Sequence, residues 1–338
     1  MTSLAALDAR LQELHPRTAE TPLFNPVFQL GLELSRDLES GRLSLGELEG
    51  LVAELECQGL QSRAERLARL VGPVDPEVND ASIARLADEE TDFAGFAARW
   101  AKPLAHVVFT AHPTFLMSRA QGAAVAAAAS AEDIGTGTCA ASPAREPITL
   151  DSEHAQAMAA LAHAHGARDR ITGLLFAAAR RRWPDQWRNL APVPLRLASW
   201  VGYDMDGRTD ITWATSLRYR LSEKAQRLAG YAAALELSAP DIADRLTRAS
   251  AFAAERAASF AADLSDAAAL SAAANAFTAD HADKLTSLVP VIAELEARTV
   301  KADDETAADL LRVVSAMRAD GLGMGWIHFR VNASQLQN

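Results

Sequence analysis

The chain has 338 residues, of which 49% are hydrophobic, and it carries a formal net charge of −11 at pH 7. This length suits one large domain or two ordinary domains, and the hydrophobic share is enough to form a buried core. The acidic excess leaves no general basic surface for neutralising phosphates, which excludes a general nucleic-acid binder. No segment approaches a membrane span, so we expect a protein that binds neither nucleic acid nor membrane.

Cysteine usage and the N-terminal residues indicate a cytoplasmic location. Cys57 and Cys139 are the two cysteines of the chain, and neither belongs to a paired-cysteine metal spacing. We expect both thiols to be free in a reducing compartment. The N-terminus carries charges within its apolar pattern, so it lacks the apolar core of a secretory signal.

Residues 1–102 read as an N-terminal helical region. Apolar residues return every three or four positions in three successive stretches: 23–40, 43–60 and 61–72. Ser44 followed by Glu47 is a capping-box pattern, which places a helix start at this point.

Residues 103–338 change the pattern, because three short apolar runs interrupt long alanine-rich helices. The runs at 104–111, 193–207 and 322–332 predict strands. Helices are predicted over four intervening stretches, with a surface loop at 133–152: 116–131, 152–183, 214–236 and most of 239–319. Strands this far apart join through helical crossovers, so we expect a parallel sheet in a predominantly helical α/β fold.

Chemistry in parallel α/β folds gathers where strands end. His112 follows the first strand and suits a general base, although a structural histidine fits the same pattern. Asp204 and Asp206 follow the second strand and suit orientation of a basic side chain, metal binding or ordinary turn chemistry. Arg208 comes next, and its guanidinium suits the binding of an anion. Arg330 ends the third strand, where its guanidinium suits two-point binding of a phosphate or carboxylate.

These three stretches, in this order, resemble the motifs of phosphoenolpyruvate carboxylase. That family shows T-A-H-P-T-E, W-x-G-G-D-R-D-G-N-P and L-D-x-R-Q. The chain has TAHPTF at 110–115, WVGYDMDGRT at 200–209 and IHFRV at 327–331. Of the arginine pair that follows the first motif in the family, Arg119 stands here and Ser118 replaces the other.

The resemblance implies a partial (β/α) TIM-type barrel with large helical insertions. It implies carboxylation of phosphoenolpyruvate with bicarbonate to oxaloacetate and phosphate, with Mg²⁺ or Mn²⁺ whose ligands are not in this chain. His112 matches a histidine with a proton-transfer role, and Asp204 and Asp206 would hold the site in shape. An anion pocket would be lined by four residues: His112, Arg119, Arg208 and Arg330.

Several positions depart from the family pattern. Phe115, Met205 and Val331 replace polar or charged residues, and they favour an alternative: a non-catalytic homologue that acts as a helical scaffold or binds an anionic metabolite. The family's metal ligands and glycine-arginine loop would follow the third motif, so we expect an N-terminal portion of a longer enzyme that forms a homo-oligomer at full length. A helical phosphorelay module is a third possibility. Such modules carry the histidine on a helix of a bundle, and Pro113 directly after His112 disfavours a helix there.

Three further histidines, His154, His163 and His165, resemble a loose metal cluster. On a helix, positions 163 and 165 point to different faces, so we expect these residues to belong to a solvated helix instead of a metal site.

Overall fold

The computed structural model describes residues 3–21, 23–72, 75–110, 117–130, 149–204 and 208–328. These residues form a predominantly helical α/β fold, which confirms the predicted class. Its one sheet has three strands over these ranges and does not close into a barrel there. Among the helices of the same ranges, none is long and apolar enough to cross a membrane.

The chain divides into two compact units. The first contains Met1–Val74 and Met117–Pro147, and the second contains Asp75–Leu116 and Ile148–Asn338. The predicted boundary after residue 102 therefore falls within the second unit.

The first unit is helical over its described residues. Its elements are α1 (Leu4–Leu14), α2 (Arg17–Glu20), α3 (Pro26–Glu39), α4 (Leu45–Val71) and α7 (Arg119–Ser130). The predicted capping box is present at the start of α4: the Ser44 N–H donates to Glu47 Oε2 at 2.8 Å, and the Glu47 N–H donates to Ser44 Oγ. The two helices predicted over 43–72 form the single helix α4, because Gly59 lies on an exposed face and no proline interrupts the backbone hydrogen bonds.

A small core joins α4 to α7. Leu60 and Ala64 of α4 pack against Val125 and Ala128 of α7. Cys57, one turn before Leu60, is disulfide-bonded, so the expectation of two free thiols is wrong. Disulfides persist in oxidising compartments, so cysteine usage no longer supports the predicted cytoplasmic location.

The second unit contains the remaining described helices and the sheet. The helices are α5 (Pro76–Leu86), α6 (Phe93–Trp100), α8 (Leu150–Arg182), α9 (Trp213–Leu235), α10 (Pro240–Ser259), α11 (Ala267–Thr278), α12 (Val289–Thr299) and α13 (Asp304–Asp320). The largest core cluster joins α9, α10, α12 and α13 through fully buried leucines, among them Leu228, Leu246, Leu295 and Leu310. Of these helices, α13 also contacts the sheet, at β2.

The three predicted strands form one parallel sheet in the order β1 (Ala105–Phe109), β2 (Leu195–Ser199), β3 (Trp326–Ile327). Ala105 pairs with Leu195, and this register continues to Phe109 and Ser199. Ala198 pairs with Trp326. The helical crossovers that were predicted from the spacing of the strands therefore produce the predicted parallel arrangement.

One face of this sheet is covered by α8. Met158 and Leu161 of the helix form a buried cluster with Leu197 and Val201 of the second strand and its end. Gly325 allows close packing just before β3, since a Cβ at this position would lie 2.8 Å from the Leu197 carbonyl oxygen. The start of β3 therefore requires a glycine.

Candidate functional site

The carboxyl ends of the three strands meet at one edge of the sheet. The His328 N–H donates to the Ser199 carbonyl at 3.1 Å, and the Ser199 hydroxyl donates to the Phe109 carbonyl at 2.9 Å. The ends of all three strands are thus linked by hydrogen bonds. We call this region the strand-end edge, formed by Thr110, residues 200–204 and His328.

Of the residues predicted to form the site, Asp204 and Arg208 have described side chains. His112, Asp206 and Arg330 lie outside the described residues. The described residues after β1 end at Thr110, two residues before His112, and those after β3 end at His328, two residues before Arg330. Asp204 lies in the turn after β2, and its backbone N–H donates to the Trp200 carbonyl at 3.2 Å. Arg119 is the first residue of α7 in the first unit.

The turn after β2 depends on Gly202. Its φ is +89°, a conformation that side chains with a Cβ rarely adopt, and an added Cβ would overlap the ring of Tyr219. The Gly202 carbonyl also accepts a hydrogen bond from the Ser216 hydroxyl at 2.8 Å. The glycine that the second motif has in common with the family is therefore required by the packing of α9 against this turn.

A buried polar network lies beside this turn. Tyr203 donates to Glu223 Oε1 at 2.6 Å, and His154 Nε2 lies 3.1 Å from the same oxygen. Arg220 donates to the other carboxylate oxygen at 3.1 Å. Burial, followed by the neighbouring Glu223 carboxylate, raises the pKa of Tyr203 far above its usual range, so the phenol remains a hydrogen-bond donor. Tyr203, which replaces a family glycine, thus ties the turn to α9.

Arg208 is bound by carboxylates. Its guanidinium donates to Asp210 at 2.8 and 2.6 Å and to Glu153 at 2.9 Å. The hydrogen bonds that Arg208 donates to Asp210, followed by the one to Glu153, raise the pKa of Arg208. Two carboxylates more than neutralise one guanidinium, so an incoming anion must displace at least one of them before Arg208 can bind it.

A second group of polar residues lies at the start of α8, next to the turn. The Tyr219 hydroxyl and Arg218 Nη2 each donate to Asp151 Oδ1 at 2.5 Å. The hydrogen bond from Tyr219 is the main reason why the pKa of Asp151 is lowered. His154 stacks on the Tyr219 ring with centroids 3.9 Å apart. The start of α8 is therefore fixed against α9.

The sheet face opposite α8 carries histidine, arginine and tryptophan side chains. His106 pairs with Arg196 in register, and its ring contacts that of His328 edge-on, with centroids 5.1 Å apart. The Arg196 guanidinium lies 4.2 Å from the centre of the Trp326 ring, and Trp326 is 50% exposed. Partial desolvation, then the neighbouring His328 and Arg196, lowers the pKa of His106, so this imidazole is neutral at neutral pH. Strand alternation in the sequence places these side chains on one face, but we did not predict their role from it.

A buried charge cluster lies behind the loop to β3. Asp320 Oδ1 accepts from Arg168 Nη1 at 2.7 Å, and Arg227 Nη2 lies 2.8 Å from Oδ2, out of line for a hydrogen bond. His165 Nε2 donates to the Met324 carbonyl at 2.7 Å, while Nδ1 faces Arg227 at 3.3 Å. Burial and the Arg227 charge lower the pKa of His165 to about 4. The imidazole is therefore neutral. Arg168 Nη2 also donates to Asp169 Oδ1 at 3.3 Å, so two guanidinium groups face two carboxylates.

The histidine predictions on α8 are partly wrong. His154 and His165 are each 5% exposed, so they do not belong to a solvated face. They are buried because Glu223, the Met324 carbonyl and Arg227 satisfy their ring nitrogens. His163 is exposed, as predicted. Within the described ranges, no group of three or more histidine, cysteine, aspartate or glutamate side chains is arranged to hold a metal ion.

The fold and these contacts define a predominantly helical α/β protein with polar groups at the carboxyl edge of a small parallel sheet. No family model matches the chain, and no curated protein does.

Proposed function

We propose that the second unit supplies the first strands of a (β/α) TIM-type barrel with large helical insertions, in an enzyme of the phosphoenolpyruvate carboxylase kind. The observation that carries this proposal is the parallel order β1-β2-β3, with the three strand ends joined at one edge. Each of the three family-like motifs begins at one of these ends. Active sites of such barrels are built at the carboxyl ends of the strands.

The partly exposed face of the sheet opposite α8 supports the same proposal. In a closed barrel the helices cover the outer face, and the inner face is filled by side chains from the other strands. Here α8 covers one face, while Trp326 and His106 of the other face remain partly or largely exposed. A longer or assembled form of the enzyme would cover this face, and we expect a homo-oligomer at full length.

The proposed reaction joins phosphoenolpyruvate and bicarbonate. A bicarbonate oxygen attacks the phosphoryl group, and the enolate of pyruvate leaves. The resulting carboxyphosphate breaks down to carbon dioxide and phosphate, and the enolate carbon attacks carbon dioxide to form oxaloacetate. His112 would move the proton in the breakdown step, and Arg330 would hold the phosphate. A negatively charged substrate and a developing enolate require cationic groups that water does not reach.

The resemblance implies Mg²⁺ or Mn²⁺, but the described residues contain no suitable group of ligands. No step of the reaction is therefore assigned to a metal held by these residues. His112 and Arg330 remain the residues with proposed roles, and Asp204 and Asp206 would hold the site in shape. A cytoplasmic location belongs to the same proposal.

The direct test is oxaloacetate formation from phosphoenolpyruvate and bicarbonate in the presence of magnesium, coupled to malate dehydrogenase. The assay is run on this chain and on any longer product of the same reading frame. His112→Asn should abolish turnover in whichever form is active. His163→Asn is the matched control, because His163 is an exposed histidine on α8. Full turnover by the His112→Asn enzyme would contradict the proposed role.

A non-catalytic role is the second candidate, and the state of Arg208 favours it. Glu153 and Asp210 bind this guanidinium, so it is not free to hold substrate. A homologue that serves as a helical scaffold or binds an anionic metabolite needs no turnover. Calorimetry distinguishes the two candidates: phosphoenolpyruvate binding without metal-dependent oxaloacetate formation in any form of the protein supports the non-catalytic role.

A further inference from the structure

The first unit contains an apolar groove between α1, α3 and α4. Its volume is about 360 Å³, and leucines from all three helices line it, including Leu7, Leu30 and Leu51. Val52 and Leu55 of α4 also line the groove and are 51% and 59% exposed. Leu55 follows Leu48 and Leu51 at the spacing of one helix face, so α4 has an apolar stripe that its neighbours cover incompletely.

The shape of the groove selects a helix as its occupant. The helices α1, α3 and α4 leave the apolar stripe of α4 half covered, and a fourth helix would cover the rest, as in a four-helix bundle. An amphipathic helix fills such a groove with side chains at a spacing of three and four residues. The C-terminal half of α4 is packed in the same way, since α7 covers Leu60 and Ala64 there.

The acidic residues around the groove favour basic residues on both sides of the partner helix's apolar face. Residues 45–61 of α4 contain four glutamates and no lysine or arginine. Glu54 and Glu49 are exposed on opposite sides of the apolar stripe, roughly a quarter to a third of a turn away from its centre. Asp8 is the one charged residue among those that line the groove. The nearby Arg10 is neutralised by Glu33 at 2.8 Å and Glu13 at 3.0 Å.

We propose that this groove binds an amphipathic helix of a partner protein, with leucine-type residues on one face and lysine or arginine on its flanks. A second copy of the same groove face would bring glutamates against glutamates, which disfavours a symmetric contact. This interaction surface is independent of the reaction proposed for the second unit.

The probe is a fluorescein-labelled peptide of about five helical turns, with leucine on one face and lysine elsewhere. A matched peptide has glutamate in place of every lysine. Fluorescence anisotropy with the full chain should show binding of the lysine peptide, and the glutamate peptide should bind at least about tenfold more weakly. Val52→Ser/Leu55→Ser should weaken binding of the lysine peptide by about tenfold or more.

Two controls make the result specific. Leu70→Ser changes an apolar residue of α4 that is 83% exposed and lies outside the groove, so it should leave the affinity within about twofold. Glu49→Lys/Glu54→Lys changes surface charge alone and should reverse the preference to the glutamate peptide. Equal binding by the wild-type and groove variants would overturn the proposal. It would also be overturned if the wild-type chain forms a dimer that Val52→Ser/Leu55→Ser dissociates, because the occupant would then be a second copy.

Discussion

The Asp320 carboxylate connects α8, α9 and α13 behind the sheet, and its removal should strongly destabilise the second unit. The side chain is 1% exposed and lies between Arg168 and Arg227, whose side chains are 2% and 7% exposed. Asp320→Ala would remove the buried carboxylate that both guanidinium groups share and leave Arg168 with the half-exposed Asp169 alone. Breaking a buried pair in this way costs about 3–5 kcal/mol of unfolding free energy.

Tryptophan fluorescence during urea denaturation measures this loss, because all six tryptophans lie in the second unit: Trp100, Trp183, Trp187, Trp200, Trp213 and Trp326. Asp320→Ala should lower the midpoint strongly with little change in slope. Combining Asp320→Ala with Arg168→Met should cost less than the sum of the single variants, since the two residues share one contact. Asp241→Ala, which breaks an exposed pair with Arg298, is the control. An Asp320→Ala midpoint no lower than that of Asp241→Ala would refute the reasoning.

Three further predictions concern the same unit. Acid should destabilise the second unit, because unfolded His165 takes up a proton that the folded residue, with its pKa of about 4, does not. The His165 contribution to the unfolding free energy is fully present above pH 6.5 and falls by about 3 kcal/mol as the pH approaches 4. Urea midpoints across this pH range measure the loss, and His165→Asn should make them less dependent on pH. Gly202→Ala should cost about 2–4 kcal/mol in the same assay, because it combines a positive φ with overlap against Tyr219; an unchanged midpoint would show that the turn is built differently. Tyr203→Phe should cost about 1–3 kcal/mol, since it removes a donor from the buried Glu223, and a neutral effect would indicate that this hydrogen bond does not form.

The elements that carry local signals could be predicted from the sequence. Apolar runs near proline or glycine indicated the three strands, and the long helical stretches between them required a parallel sheet. Ser44 and Glu47 marked the start of α4 because both capping partners lie within one turn. The single helix over 45–71 was predicted as two, because sequence periodicity alone does not distinguish a helix boundary from an exposed Gly59.

The contacts that depend on distant residues could not be predicted in this way. Asp320 lies 152 residues from Arg168, and no local pattern connects them. His154 and His165 were assigned to a solvated face because their partners, Glu223 and the Met324 carbonyl, come from other elements. Arg208 fits an anion site by its place in the motif, but Glu153, 55 residues away, binds the same guanidinium and no local pattern indicates this contact.

The convergence of His112 and Arg330 at the strand-end edge is the central claim, and crosslinking tests it most directly. Neighbouring strands lie about 4.8 Å apart, so the outer strands β1 and β3 are separated by about 10 Å. His112→Cys/Arg330→Cys is prepared with Cys57 and Cys139 replaced by serine, and it is treated with a bis-maleimide of that span. Thr110→Cys/His328→Cys serves as the matched pair at described positions.

Intact mass spectrometry and proteolysis then report whether one reagent joins both cysteines of the same chain. We predict that the 112/330 pair crosslinks within one chain as efficiently as the 110/328 pair. Efficient crosslinking of the 110/328 pair, with only single-ended modification at 112 and 330, would contradict the proposed anion site.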